Sequence, residues 1–193
     1  MALDIVILGP PGAGKGTQAK LIAREAAIPH VNTGDLLRAE KAAETELGLR
    51  VRATMDRGDL VPDDLVIGLL RDRLAREDTA EGFVLEGYPR NLAQAEALDR
   101  MLDEIERGEL SIVLHFPVSD ELAEQRLLGR AREEGRSDDT PDVIRHRIEV
   151  QRVPDELIAY YRAKGILVGI HADRSIDEVF AEVQSVLQAA TAR

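Results

Sequence analysis

Short apolar runs alternate along the chain with longer segments whose apolar positions recur every three or four residues. The runs DIVIL (4–8), IPHV (28–31), GFVLE (82–86), SIVLHF (111–116) and ILVGI (166–170) are the strand candidates. Most lack strict apolar–polar alternation, which is how strands covered on both faces of a parallel sheet read. Between them the spacing predicts helices over 15–26, 35–43, 47–57, 63–76, 91–106, 119–133, 140–162 and 175–189. Asp63 and Ser119 are candidate N-caps, and Gly58, Gly108 and Gly165 stand where helices should stop. The order predicts an α/β fold with a doubly wound, parallel, five-stranded sheet and helices on both faces. Two helical patterns between the second and third strands exceed what one crossover needs. They predict a small helical insertion over 32–61.

Composition narrows the function without naming it. A chain of 193 residues with 44% hydrophobic and 32% charged residues suits one domain spanning 1–193. No apolar run approaches the roughly 20 residues of a membrane span, and the N-terminus lacks a basic region before an apolar one. No signal peptide and no membrane partner are therefore expected. The absence of Cys excludes disulfides and thiolate metal sites and is in keeping with a cytoplasmic protein. A formal net charge of −11 argues against nucleic acid as a partner. Lys15, Lys20, Lys41 and Lys164 are the only lysines, so arginine carries most of the positive charge. Arginines in an acidic protein are well suited to phosphate, although composition alone accounts for many of them.

The chemistry begins at GPPGAGKGTQ (9–18), directly after the first strand candidate. Gly9, Gly12, Gly14 and Gly16 let successive N–H groups face one concavity, and the next helix adds its positive end. Lys15 supplies a cation for the β/γ-phosphates. Gly16 stands where the usual pattern has Ser or Thr. Glycine in a first helical turn costs about 1 kcal/mol relative to Ala, so its presence points to a close approach. Thr17 still offers a hydroxyl to Mg2+. A nucleotide phosphate is expected here; the guanine-reading Asn-Lys-x-Asp of GTPases is missing.

Three further stretches complete the picture: VNTGDLLR (31–38), GFVLEGYPRNLAQ (82–94) and RLLGRAREEGRSDDTPDVIRHR (126–147). Together with GPPGAGKGTQ, in this order and spacing, they resemble the adenylate kinase family from about residue 4 to about residue 189. That family uses the GKGT form of the loop. The resemblance implies a reversible, Mg2+-dependent phosphoryl transfer from ATP to AMP giving two ADP. It implies an ATP-binding set of Gly12, Ala13, Gly14, Lys15, Gly16, Thr17, Arg130 and, through its backbone, Arg174. The AMP-binding positions it implies are Thr33, Arg38, Asp59, Leu60, Val61, Gly87, Tyr88, Pro89, Arg90 and Gln94, with Arg136 and Arg147 at the phosphates. Lys15, Arg90, Arg130, Arg136 and Arg147 become the catalytic cations, and Thr17 with Glu86, through water, the magnesium-holding oxygens. Residues 32–61 become the AMP-binding insertion and about 129–140 a short lid, where Asp138 and Asp139 fit the lid motif. No zinc is expected, because the lid lacks Cys and His. Arg126, Arg132 and Arg145 read as surface residues, and His30, His115, His146 and His171 as structural or surface ones. A monomer is the default expectation.

Departures from the family pattern are Glu86 for a usual Asp, Asn32 for a common Ser, and IEVQRVPDELIAYY (148–161), about one residue short with Gln151 and Pro154 in unusual places. A lost residue turns the following helical face by about 100° unless a turn absorbs it. Competing readings are a pyrimidine nucleoside monophosphate kinase, disfavoured by Thr33 with Gln94, and a nucleotide-binding protein with little turnover.

Overall fold

The computed structural model describes residues 2–134 and 140–191. Its parallel sheet runs in the order β2-β3-β1-β4-β5, from β1 (Leu3–Leu8), β2 (His30–Asn32), β3 (Gly82–Glu86), β4 (Ile112–His115) and β5 (Leu167–Gly169). β1 lies in the middle, with Ile5 opposite Val84 on one side and Ile112 on the other. Strand side chains alternate between two cores. Val6, Leu8, Phe83, Leu85 and Val113 face one core, and Ile5, Ile7, Val84, Ile112 and Leu114 face the other. Both faces are covered, which explains the unbroken apolar runs.

The first core receives α4 (Asp63–Leu74), α5 (Leu92–Glu104) and α8 (Asp155–Ala163) through Leu70, Leu98 and Leu157. The second receives α1 (Lys15–Ala26) and α9 (Ile176–Thr191) through Ile22 and Val183. α2 (Thr33–Ala42) and α3 (Glu46–Arg57) form the expected helical excursion between β2 and β3. α6 (Asp120–Glu134) and α7 (Pro141–Val150) share a small cluster of Ala123, Leu127, Ile144 and Ile148.

Three expectations need correction. The helix predicted over 140–162 is two helices, because Pro154 cannot donate to a continuing ladder. A turn at 151–154 separates them, and α8 buries Leu157 and Tyr161. Asp63 is the first helical residue of α4, not its cap; Pro62 holds that position. A carboxylate at N1 still complements the helix end, but Asp63 accepts from Asn91 Nδ2 at 3.1 Å and Gln94 Nε2 at 2.5 Å. The second strand starts two residues late and ends one late, at His30–Asn32. Ser119 does cap α6 by accepting from Leu122 N at 3.3 Å, and Gly58 ends α3 at φ 79°.

Candidate active site

In an open parallel sheet the crevice lies beyond the carboxyl ends of the strands, where the connections diverge. Here β1 runs into Gly9–Gly14, β2 into α2, and β3 into Gly87–Arg90. These segments line one cleft of about 760 Å³ together with α6, α7 and residues 172–179. The described expected positions all line it except Tyr88, whose ring is buried in the core. Arg136, Asp138 and Asp139 lie outside the described residues.

The loop owes its shape to two glycines. Gly14, at φ 85°, forms the left-handed entry to α1. Gly12 lies at φ 80°, and a Cβ there would come within 2.5 Å of the Ala123 carbonyl oxygen. Lys15 is tethered by donating from Nζ to Pro10 O at 2.8 Å. Burial pushes its pKa down to about 8; Glu86 opposes this, while Arg90 and Arg130 reinforce it. The same forces act on Arg90, lowered to about 10 by burial and then by Arg147, against Glu86. An acidic protein has thus gathered mutually repelling cations in one pocket. An anion between them would relieve that repulsion.

Glu86 is the counterweight. Its Oε2 accepts from Asn32 Nδ2 at 2.6 Å and bonds His30 Nε2 at 2.9 Å. Burial alone would raise its pKa, but the bond to His30 and the charge of Lys15 hold it below the ordinary carboxylate value. Asn32 pairs with Glu86 across β2 and β3 and also caps α2, its Oδ1 accepting from Asp35 N at 3.0 Å. The two departures therefore touch each other. Gly16 explains itself here as well, since a Cβ there would lie 3.3 Å from Glu86 Oε2.

On the other side of the cleft, Thr33 Oγ1 donates to Glu86 O at 3.4 Å and sits 2.5 Å from where a Gly87 Cβ would be. Gly87, at φ 85°, is doubly required. Arg38 Nη2 rests on Asp35 Oδ1 at 2.5 Å, and Arg90 Nε donates to Gly87 O at 2.8 Å. Gln94 is buried, accepting from Arg90 N at 2.7 Å while donating to Asp63. Its amide is thereby aligned along the cleft wall.

Arg126 is not the surface residue expected. It is half-buried, lines the cleft, and places Nη1 3.9 Å from the Cβ position of Gly14. Its spacing of four from Arg130 was the available signal, since i and i+4 share a helix face. His30 and Gln151 also line the cleft without having been singled out for it. Thr17 and Glu86 offer hard oxygens, and the missing Cβ at Gly16 keeps the carboxylate against the loop. That donor set fits Mg2+, which needs only one or two protein oxygens beside phosphates and water.

The family profile described as Adenylate kinase matches residues 7–166. The chain is 44% identical to the adenylate kinase of Stenotrophomonas maltophilia (strain K279a), covering 97% of this chain and all of that one. It is 47% identical to the adenylate kinase of Thermobifida fusca (strain YX), over 96% and 98% of the two chains. For the Xanthomonas euvesicatoria pv. vesicatoria (strain 85-10) protein of the same name, identity is 46% over 96% and 99%.

Proposed function

The chain belongs to the adenylate kinase family, and from that premise we propose how its cleft divides the work between two nucleotides. The activity is phosphoryl transfer from ATP to AMP, giving two ADP. ATP places its phosphates on the Gly12–Thr17 loop, with Arg126, Arg130 and the Arg174 backbone bordering the rest of the donor. AMP lies across the mouth of β3, its phosphate met by Arg38, Arg90 and Arg147 and its base bordered by Asp59–Val61 and Gln94.

The observation that carries this reading is the gathering of Lys15, Arg90, Arg130 and Arg147 in one cleft that also holds Glu86, in a chain of net charge −11. Transfer between two anions needs cations aimed at the moving group and little covalent help. The acceptor phosphate is already a nucleophile, so no side chain has to remove a proton. Lys15 follows the transferred phosphoryl, while Arg90 and Arg147 hold the acceptor in line. Mg2+ would be held by Thr17 and, through water, by Glu86, and it supplies charge neutralisation on the donor phosphates. The α2–α3 excursion (32–61) and the segment 129–140 serve as two covers that exclude water. We place the working protein in the cytoplasm as a monomer.

A coupled assay of ADP formation from ATP with AMP, CMP, UMP or GMP as acceptor tests the assignment. AMP should be preferred by at least about tenfold in kcat/KM, the factor that about 1.4 kcal/mol of discrimination provides. Preference for CMP or UMP would transfer the chain to the pyrimidine kinases.

A further inference from the structure

Between α7 and α8 the chain turns through residues 151–154, and this turn is fastened from several sides. Gln151 donates its N–H to Arg147 O at 3.0 Å, closing α7. Arg152 pairs with Asp120 at the start of α6. Val153 packs against the first core, and Pro154 sets the entry to α8. The Gln151 side chain is thereby aimed into the cleft, where both ends of its amide are used. Arg90 Nη1 donates to Gln151 Oε1 at 2.8 Å, and Gln151 Nε2 donates to Gly58 O at 2.8 Å.

This contact joins three separate parts of the chain. Arg90 follows β3, Gly58 closes α3, and Gln151 closes α7. The α7 side of the junction is reinforced next to it. A Cβ on Gly58 would lie 2.9 Å from Val143 Cγ1, and His146 Nε2 meets Asp59 Oδ1 at 2.7 Å.

We propose that Gln151 is a positioning residue for the acceptor: it orients the Arg90 guanidinium toward the AMP phosphate and locks that arginine to the Gly58–Val61 segment beside the AMP base. The inference rests on the assignment of Arg90 and 58–61 to AMP. A neutral amide suits the task. Its oxygen fixes the fork without cancelling the charge, and its NH2 group satisfies a carbonyl that ends a helix. With Nε on Gly87 O and Nη1 on Gln151, Nη2 has no hydrogen-bond partner among the described residues and remains for the ligand. A carboxylate at 151 would neutralise Arg90 and set a negative charge beside the incoming phosphate. The turn between α7 and α8, set by Pro154, delivers the amide to this position.

The test is steady-state kinetics with each substrate varied, on Gln151→Ala, Gln151→Glu, Arg90→Ala and the Arg90→Ala/Gln151→Ala double variant. Gln151→Ala should raise KM for AMP about tenfold, the factor of one hydrogen bond to a charged group, and leave KM for ATP within about twofold. Gln151→Glu should be worse than Ala toward AMP. In the Arg90→Ala background the second change should add less than about twofold, because Gln151 acts through Arg90. Hydrogen exchange at Asp59 should quicken in Gln151→Ala while exchange in β3 stays the same. Equal rises in both KM values, full additivity with Arg90→Ala, or quickened exchange throughout the sheet would each overturn the proposal. An Arg90→Ala enzyme with unchanged KM for AMP would instead overturn the acceptor-site assignment, and the proposal with it.

Discussion

Gly16→Ala should separate what the loop needs for stability from what it needs for the site. Gly16 lies in the first turn of α1 at an ordinary helical φ, so Ala meets no backbone obstacle. Helix propensity alone would favour Ala by about 1 kcal/mol. The added methyl would, however, stand 3.3 Å from Glu86 Oε2 and 3.6 Å from Oε1. That carboxylate cannot simply retreat, because Asn32 and His30 hold it at 2.6 and 2.9 Å. Moving it by the few tenths of an ångström required stretches and misaligns hydrogen bonds to a charged group, each worth about 1.5–3 kcal/mol when fully made. The net expectation is a loss of about 1 kcal/mol, or about 2–4 °C in Tm for a chain of this size. In a Glu86→Ala background the obstruction is gone and the same substitution should raise Tm by about 2–4 °C. Thermal unfolding of the four proteins completes the cycle. A Gly16→Ala effect of the same sign and size in both backgrounds would refute the explanation of the GKGT loop.

Other outcomes follow from the same cluster. Lys15→Met should fold and bind AMP, yet lose about a hundred- to a thousandfold in kcat; near-normal turnover would remove Lys15 from its role. Between pH 8 and 10.5 the unfolded chain holds a proton on Lys15 that the ligand-free protein has released, so unfolding becomes harder as pH rises across that window. ATP needs the charged lysine, so its affinity should decline above about pH 8 in the native protein and not in Lys15→Arg, as calorimetry would show. Glu86→Gln should lower kcat more than it alters KM for AMP; an unchanged kcat and Mg2+ dependence would assign Glu86 to charge balance alone. Glu86→Asp should stay active but melt lower, because it withdraws the carboxylate by about 1.5 Å from Asn32 and His30; an unchanged Tm would contradict that contact.

The elements were legible where local pattern decides them. Runs such as DIVIL and GFVLE mark strands buried on both faces, and the phosphate loop is written in contiguous residues. The bounds of β2 differ because Ile28 is buried in the second core ahead of the strand, while Asn32, a polar residue serving Glu86, ends it. Pro154 was visible, but not that the turn it creates would send Gln151 into the cleft. The contacts that arrange the site join distant positions: Asn32 to Glu86 across 54 residues, Arg90 to Gln151 across 61. The buried pair of Asp4 and Arg107, at 2.7 Å, spans 103. Nothing in a single sequence pairs such positions. Only the tertiary fold does, by bringing β2 and β3 side by side and the end of α7 against Gly58 and Arg90. Arg126 was missed for a simpler reason: a helix face is decided by its neighbours, and one arginine among many carries no local mark of that.

On this reading two nucleotides meet head to head in one cleft between two covers. Calorimetric titration with two adenosines joined by five phosphates, combined with hydrogen exchange, tests it most directly. Joining the ligands removes one association cost, so a single molecule should bind more tightly than ATP or AMP alone. Exchange should slow together in 32–61 and in 129–134. Binding of two molecules per chain, an affinity no better than that of ATP, or protection of only one of the two segments would contradict the account.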